Sequence, residues 1–478
     1  MSLRDCRTNP VSCHDAQLLA RLERATDLCV SLSADSLASV DAVLAEDPNL
    51  PLAHCLKAGL ALMSTERAAR PLLVQSVSEL ERLHSRANAR ERAHTAAARA
   101  WLEGDFAGSI RRYGEILLDY PRDLFALQVA HIGDFLLGSS QLLRDRVAQV
   151  LPYWDAGVPG YGYVLGMHAF GLEETGLYER AEATGRRALS HNPRDGWAAH
   201  AVAHVMEMQG RLREGSDFIL GTSPDWAPGS GFAYHNFWHL ALYQLDLGDA
   251  ARALEIYDQQ IRPRPSRVAY ENVDASAMLW RLTLRGVDVG ERWQSLADDW
   301  DAMQEDGHYA FNDVHALLAL LGAGRDAAAE RVLRALEQQA RAGGTNAMMT
   351  RDVGLPLGRA LWAFQRKQYA EAAELLLGVR GIAQRFGGSN AQRDLIHLTL
   401  VEAALRAEKE GLAVALSAER TELKPQSPFN WLLAARAFEL AGDPTRAGRA
   451  RQTAERQRPA PALRAPETSS GRSAVLFW

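Results

Sequence analysis

Residues 235–265 read HNFWHLALYQLDLGDAARALEIYDQQIRPRP, and this stretch decides the fold. Its first half spaces apolar residues by three and four among strong helix formers, the pattern of a helix with one buried face. Gly248-Asp249 interrupts that pattern, a second periodic segment follows, and Pro265 comes seventeen residues after Gly248. A Gly supplies the left-handed cap of a first helix, and a Pro stops the second. The stretch is one helix–turn–helix unit.

The same interval recurs from Gly104 to Pro121, Gly176 to Pro193 and Gly442 to Pro459. Gly104, Gly176 and Gly248 are 72 residues apart, room for two units of about 36 residues, close to the ~34 of a tetratricopeptide repeat. A small residue five positions after the Gly lets the two helices approach: Ser109, Ala181, Ala253 and Ala447. Gly210 with Gly215, Gly324 with Ala329, Lys367 with Ala372, and Gly138 mark further turns. The spacing predicts an all-α chain, a tetratricopeptide-repeat-like helical superhelix of about ten helix pairs. Residues 1–50 read as a helical N-terminal cap, 51–458 as the array, and 459–478, rich in Pro, Ser and Thr, as a flexible tail.

Composition agrees with a large apolar interior. The chain has 478 residues, 47% hydrophobic, with 53 Lys and Arg against 59 Asp and Glu. A length prior of roughly 150 residues per domain suggests three domains, which the repeat replaces with one array. The formal charge of −6 predicts no nucleic-acid partner, because phosphate neutralisation needs a basic surface. No apolar run reaches the roughly 18 residues of a membrane span, and the first residues lack the apolar core of a signal peptide. Cys6, Cys13, Cys29 and Cys55 crowd the first 55 residues without a C-x-x-C, which reads as free thiols in a cytoplasmic protein.

The 14 histidines are unevenly placed. Numbering each unit so that its turn Gly is position 15, the concave-facing positions of the first helix are 2, 5, 9 and 12. The Gly210 unit puts His200, His204 and Glu207 at 5, 9 and 12, on one helix face. The Gly248 unit puts His235 at 2, Asn236 at 3, Trp238 at 5 and His239 at 6. The Gly324 unit puts Asn312 at 3, Asp313 at 4 and His315 at 6. If Pro193 sets the frame instead, His200 and His204 fall at positions that pack between helices.

Three readings of these residues stay open. His200, His204, His235 and His239 offer imidazoles at a spacing that suits a divalent metal, with Glu207 or Asp313 completing the shell or moving a proton. The same set, walled by Trp238, makes a polar pocket for a small molecule or peptide. Or the polar groups bond across packed helices. Arg351 and Asp352 open a helix running through Trp362, with Asp352 as its cap or the partner of Arg351. Gly387-Gly388-Ser389 opens another, with Ser389 as N-cap; its amides read as a capping loop or as an anion site helped by Arg393, with Asn390 and Asp394 as further candidate ligand-binding residues. No nucleophile-elbow or phosphate-loop pattern occurs.

Several of these motifs together resemble the tetratricopeptide repeat protein 38 family: Ser2 to Cys6, His200-x-x-x-His204-x-x-Glu207-Met208, His235-Asn236-x-x-His239, Phe311-Asn312-Asp313-x-His315, Arg351 to Leu357 and Gly387 to Asp394. The likeness runs to about Pro428 and implies an all-helical superhelix of bacterial type. It brings no particular reaction with it.

The sequence therefore predicts a ligand-binding superhelix. His200, His204, Glu207, His235, His239 and His315 meet in a central pocket, with Asn236, Asn312, Asp313, Arg351, Asn390 and Arg393 around them. The expected ligand is small and polar or anionic. The alternatives are a hydrolase or lyase using His204, His239, Glu207 and Asp313, and an adaptor binding a partner peptide in the groove. A homo-oligomer is compatible with each, and no membrane partner is expected.

Overall fold

The computed structural model describes residues 3–304 and 306–458. The chain is a tetratricopeptide-type helical solenoid. Antiparallel pairs follow one another, among them Ala89–Leu102 with Phe106–Asp119, Tyr161–Glu174 with Tyr178–His191, and Gly196–Met208 with Leu212–Trp226. Further on come Ala233–Leu247 with Ala250–Ile256, Ala310–Gly322 with Asp326–Gln339, and Pro428–Leu440 with Pro444–Gln457.

The local chemistry explains the pairs. Gly248 takes φ +87°, a conformation that costs an L-residue with a side chain, and ends its helix there. The turn at Lys367 adopts φ +62° without a Gly. Ser109, Ala181, Ala253 and Ala447 are fully buried where paired helices cross. At the equivalent Gly215, an added Cβ would sit 2.7 Å from the Tyr243 ring. The second helices stop at Asp119 before Pro121 and at His191 before Pro193.

The N-terminal segment departs from the expected helical cap. Leu3–Arg4 pairs antiparallel with Pro10–Val11 ahead of the helix Ala16–Val30. The connection turns on Asp5, whose carboxylate accepts from the Arg7 and Asn9 backbone N–H groups. Two-residue strands are too short to show alternation in a sequence. The tail expected at 459–478 lies outside the described residues.

The superhelix is wound tightly enough for distant turns to touch. Tyr270 donates to the Met63 carbonyl at 2.7 Å, Tyr309 to the Leu136 carbonyl at 2.7 Å, and Asn312 to the Thr65 carbonyl at 3.2 Å. The Asn390 N–H donates to Glu174 Oε1 at 2.8 Å. The first helices of the central pairs are consequently buried on nearly every side. The concave face is filled by the chain's own residues, and polar groups placed there must find partners inside the protein.

Candidate metal centre and cavity

Two neighbouring first helices build the site. Asp195 caps Gly196–Met208 by accepting from the Trp197 and Ala198 N–H groups. The alanines 198, 199, 201 and 203 keep this helix thin, so that its neighbours approach closely. It carries His200 and His204 one turn apart; Ala233–Leu247 carries His235 and His239 in the same way. One ring nitrogen of each of the four lies within 4.8 Å of the others, and all four rings are buried. Ring centroids are 4.3 Å apart for His200–His204 and His204–His239, and 4.8 Å for His200–His235.

Carboxylates stand behind three of the rings. His235 Nδ1 is 2.6 Å from Asp274, His239 Nδ1 is 2.9 Å from Glu207, and His204 Nδ1 is 3.3 Å from Glu173. Glu207 also receives Lys424 Nζ at 3.0 Å. His235 and His200 face each other through their Nε2 atoms at 3.1 Å. His200 Nδ1, His239 Nε2, both nitrogens of His204 and both carboxylate oxygens of Glu173 are buried without a hydrogen-bond partner.

Burial sets the charge state. It pushes His200 and His239 well below the usual imidazole range, with neighbouring histidines adding to the effect, and it lowers His204 as well. These rings are neutral and present lone pairs. Burial alone would raise Glu207, but Lys424 and His239 hold it well below the carboxylate range. For Glu173 burial, then Glu207, outweigh the opposing pull of Lys424 and Arg393 and push it up to about 8.

A cavity of about 220 Å³ opens on two of the four rings. His200, His235, Asp274, Ser64 and Gln392 form its polar lining. Trp197, Phe232, Tyr234, Tyr270 and Phe135 supply aromatic walls, with Ile132, Leu60 and Met63 between them. The Phe232 ring lies 4.9 Å from His235 and 5.1 Å from His200. Leu32 reaches the rim, where its carbonyl accepts from the Gly231 N–H at 2.8 Å.

The other expected site residues lie apart from this cluster. His315 bonds the Phe311 carbonyl of its own helix at 2.8 Å and packs against that residue's ring, so four histidines converge and not five. The superhelix rotates between units, and the shared Asn-x-x-His spacing does not bring the two units to one point. Asn236 donates to the Gly196 carbonyl and Asn312 to that of Thr65, both as helix-to-helix ties. Asp313 accepts from the Gly307 N–H at 2.8 Å, away from the four rings. Trp238 is fully buried behind His235, stacked at 5.4 Å, and does not line the cavity.

Of the two polar segments only Gln392 reaches the cavity. Thr350–Gly354 is a wide π turn continuous with helices on both sides, so Asp352 is not a cap. Asp352 instead takes Arg385 at 2.8 Å and Arg351 at 3.4 Å, and Arg351 is 57% exposed. Ser389 does cap its helix, in a reciprocal box with Gln392. Arg393 is spent on the Gly388 carbonyl, Asn390 and Glu174, and Asp394 is paired with Arg420 at 2.7 Å.

Sequence reasoning missed Glu173, Asp274 and Lys424. Glu173 stands at position 12 of the Gly176 unit, the position of Glu207 in the next, so the repeat frame held a signal for it. Asp274 and Lys424 carry no local signature.

No family model matches the chain. Among solved structures it is similar to the human IFIT1 dimer with m7Gppp-AAAA, at 14% identity over 94% of this chain and 96% of that one, TM-score 0.42. The human IFIT1 dimer with PPP-AAAA gives 14% over 95% and 98%, TM-score 0.40. The Cut9–Hcn1 hetero-tetramer of APC/C gives 11% over 94% of each chain, TM-score 0.30. The likeness concerns the helical-repeat fold. It also corrects one expectation: human IFIT1 stands with capped and triphosphate oligonucleotides, so nucleic acid is not excluded for a fold of this kind. Net charge averages a whole surface and does not decide what a local site holds.

Proposed function

We propose that this protein holds one divalent transition metal on His200, His204, His235 and His239, inside the closed superhelix, and presents that centre to a small molecule in the adjoining cavity. The convergence of four buried imidazoles carries the reading. Each buried polar atom left without a partner costs about 1–3 kcal/mol, and His200, His204, His239 and Glu173 bring several such atoms together here. A cation among them offsets that cost. Imidazole donors suit zinc, iron, copper or nickel better than magnesium or calcium.

The outer residues fit the same reading. A metal-bound imidazole characteristically donates its second N–H to a carboxylate, which fixes the ring and raises its basicity. Asp274 and Glu207 stand in that place for His235 and His239, and Glu173 lies 3.3 Å from His204 Nδ1. A bound metal would supply Lewis-acid chemistry. Of the carboxylates a hydrolase or lyase could use, Glu207 is already committed to Lys424 and His239, Asp313 lies elsewhere, and Glu173 does not line the cavity. The adaptor reading has less support, since the concave face is occupied by the protein itself. The free thiols support a cytoplasmic location, and no helix among the described residues is long and apolar enough to cross a membrane. The motif likeness to the tetratricopeptide repeat protein 38 family supports kinship without specifying a reaction.

Elemental analysis of purified protein tests the proposal. About one metal per chain is expected, lost in His204→Ala and in His239→Ala; less than about 0.1 per chain after metal-supplemented purification overturns it.

A further inference from the structure

We infer that the cavity beside the four histidines takes a neutral, monocyclic aromatic molecule bearing one hydrogen-bonding group. The inference rests on the proposed centre for its setting and concerns the ligand class. Size comes first. A cavity of roughly 150 Å³ accommodates benzene, and this one measures about 220 Å³. One ring with a small substituent fits within it.

Lining comes second. Five aromatic side chains and the aliphatic Ile132, Leu60, Leu32 and Met63 make most of the wall. Trp197 and Phe232 lie 5.1 Å apart and both lean on His200, at 5.0 and 5.1 Å, a spacing suited to edge or offset contacts with a further ring. Tyr270 spends its hydroxyl on the Met63 carbonyl, so it presents its ring face and not a donor.

Charge comes third. The lining holds Asp274 and neither Lys nor Arg. Arg351 and Arg393, the expected anion-binding groups, point elsewhere. A carboxylate or phosphate would be buried against Asp274 with no Lys or Arg in the lining, and the charge of the proposed centre is already met by Asp274 and Glu207 behind its rings, so an anion there is costly. A neutral hydroxyl or amine can instead meet Asp274, Ser64 or Gln392 in the lining. The polar or anionic ligand expected from sequence gives way to an aromatic one with a single polar handle.

The test is calorimetric titration of the full chain with 4-methylphenol and, separately, 4-methylbenzoate, with metal content measured on the same samples. 4-Methylphenol is expected to bind once per chain with a Kd below about 1 mM, and 4-methylbenzoate at least about tenfold more weakly. Ile132→Trp and Leu60→Phe, which fill the cavity from two sides, should each weaken 4-methylphenol about tenfold or more. If one variant fails to fold, the other decides. No saturable 4-methylphenol binding, binding unchanged in a folded filling variant, or tighter 4-methylbenzoate binding overturns the inference. A metal-free chain that still binds 4-methylphenol overturns the metal reading and leaves this one standing; a metal-loaded chain that ignores it does the reverse.

Discussion

Asp274 and His235 are joined at 2.6 Å between a carboxylate oxygen and Nδ1, both side chains buried and contributed by successive first helices. The bond fixes which nitrogen of His235 points inward: Nδ1 is occupied, and Nε2 faces His200 at 3.1 Å. The orientation of the four-histidine cluster is set from outside it.

Asp274→Asn should therefore weaken metal binding about 10- to 100-fold while leaving the helical fold intact. An amide can accept the same hydrogen bond but cannot raise the basicity of the imidazole as a carboxylate does. Competition against a chelator of known affinity measures the change, and far-ultraviolet circular dichroism checks the fold. Unchanged affinity would place Asp274 in a packing role.

Metal removal should lower the melting temperature of the native chain. A ligand bound only by the folded state at about 1,000 times its Kd stabilises by about 4 kcal/mol. His204→Ala should melt lower than the native protein and show no further loss on chelation. Differential scanning calorimetry with and without chelator reads both effects, and an equal chelator response in the two proteins would contradict the assignment.

The helix pairs were legible because their punctuation is local. A Gly, a small residue five positions on and a Pro seventeen positions on report a turn, a crossing and a stop within one unit. The four histidines were legible for the same reason: two first helices repeat an i, i+4 pair, and adjacent units lie side by side. His315 repeated the spacing one step too far, because each unit is rotated from the last. Lys424 meets Glu207 from 217 residues away. Such a contact depends on how tightly the superhelix is wound, which is a property of the whole array and of no one unit.

Gly215 gives a test of that winding. Its missing Cβ is replaced by the Tyr243 ring, which donates its hydroxyl to the Ala203 carbonyl at 2.6 Å. Gly215→Ala should destabilise by about 1–3 kcal/mol, because a methyl 2.7 Å from ring carbons forces the ring or the helix to shift. Ala329→Gly, at the matching position of another unit, creates no clash and should cost about 1 kcal/mol through helix propensity. Urea denaturation of both variants measures the contrast, and a Gly215→Ala variant as stable as the native chain would show that the helices have room to move apart.

Asp123 ties the N-terminal segment to the array and makes stability depend on pH. It sits between Arg90 at 3.2 Å and His94 at 2.8 Å, all nearly inaccessible to solvent, and Arg90 also reaches Asp5 at 3.2 Å. Burial alone would raise the Asp123 carboxyl, but Arg90 and His94 hold it far below the usual carboxylate range. The unfolded chain then binds this proton at higher pH than the folded one. The stabilisation is fully present above the ordinary carboxylate pKa of about 4 and is lost as pH falls below it toward the folded value. Asp123→Asn should cost about 3 kcal/mol at neutral pH, because it leaves Arg90 buried with one partner fewer. The deficit should shrink as pH drops from about 5 to about 3, since the native protein loses the same interaction. Parallel urea denaturation of the two proteins across that range reads the difference, and a gap that stays constant with pH would remove Asp123 from the acid response.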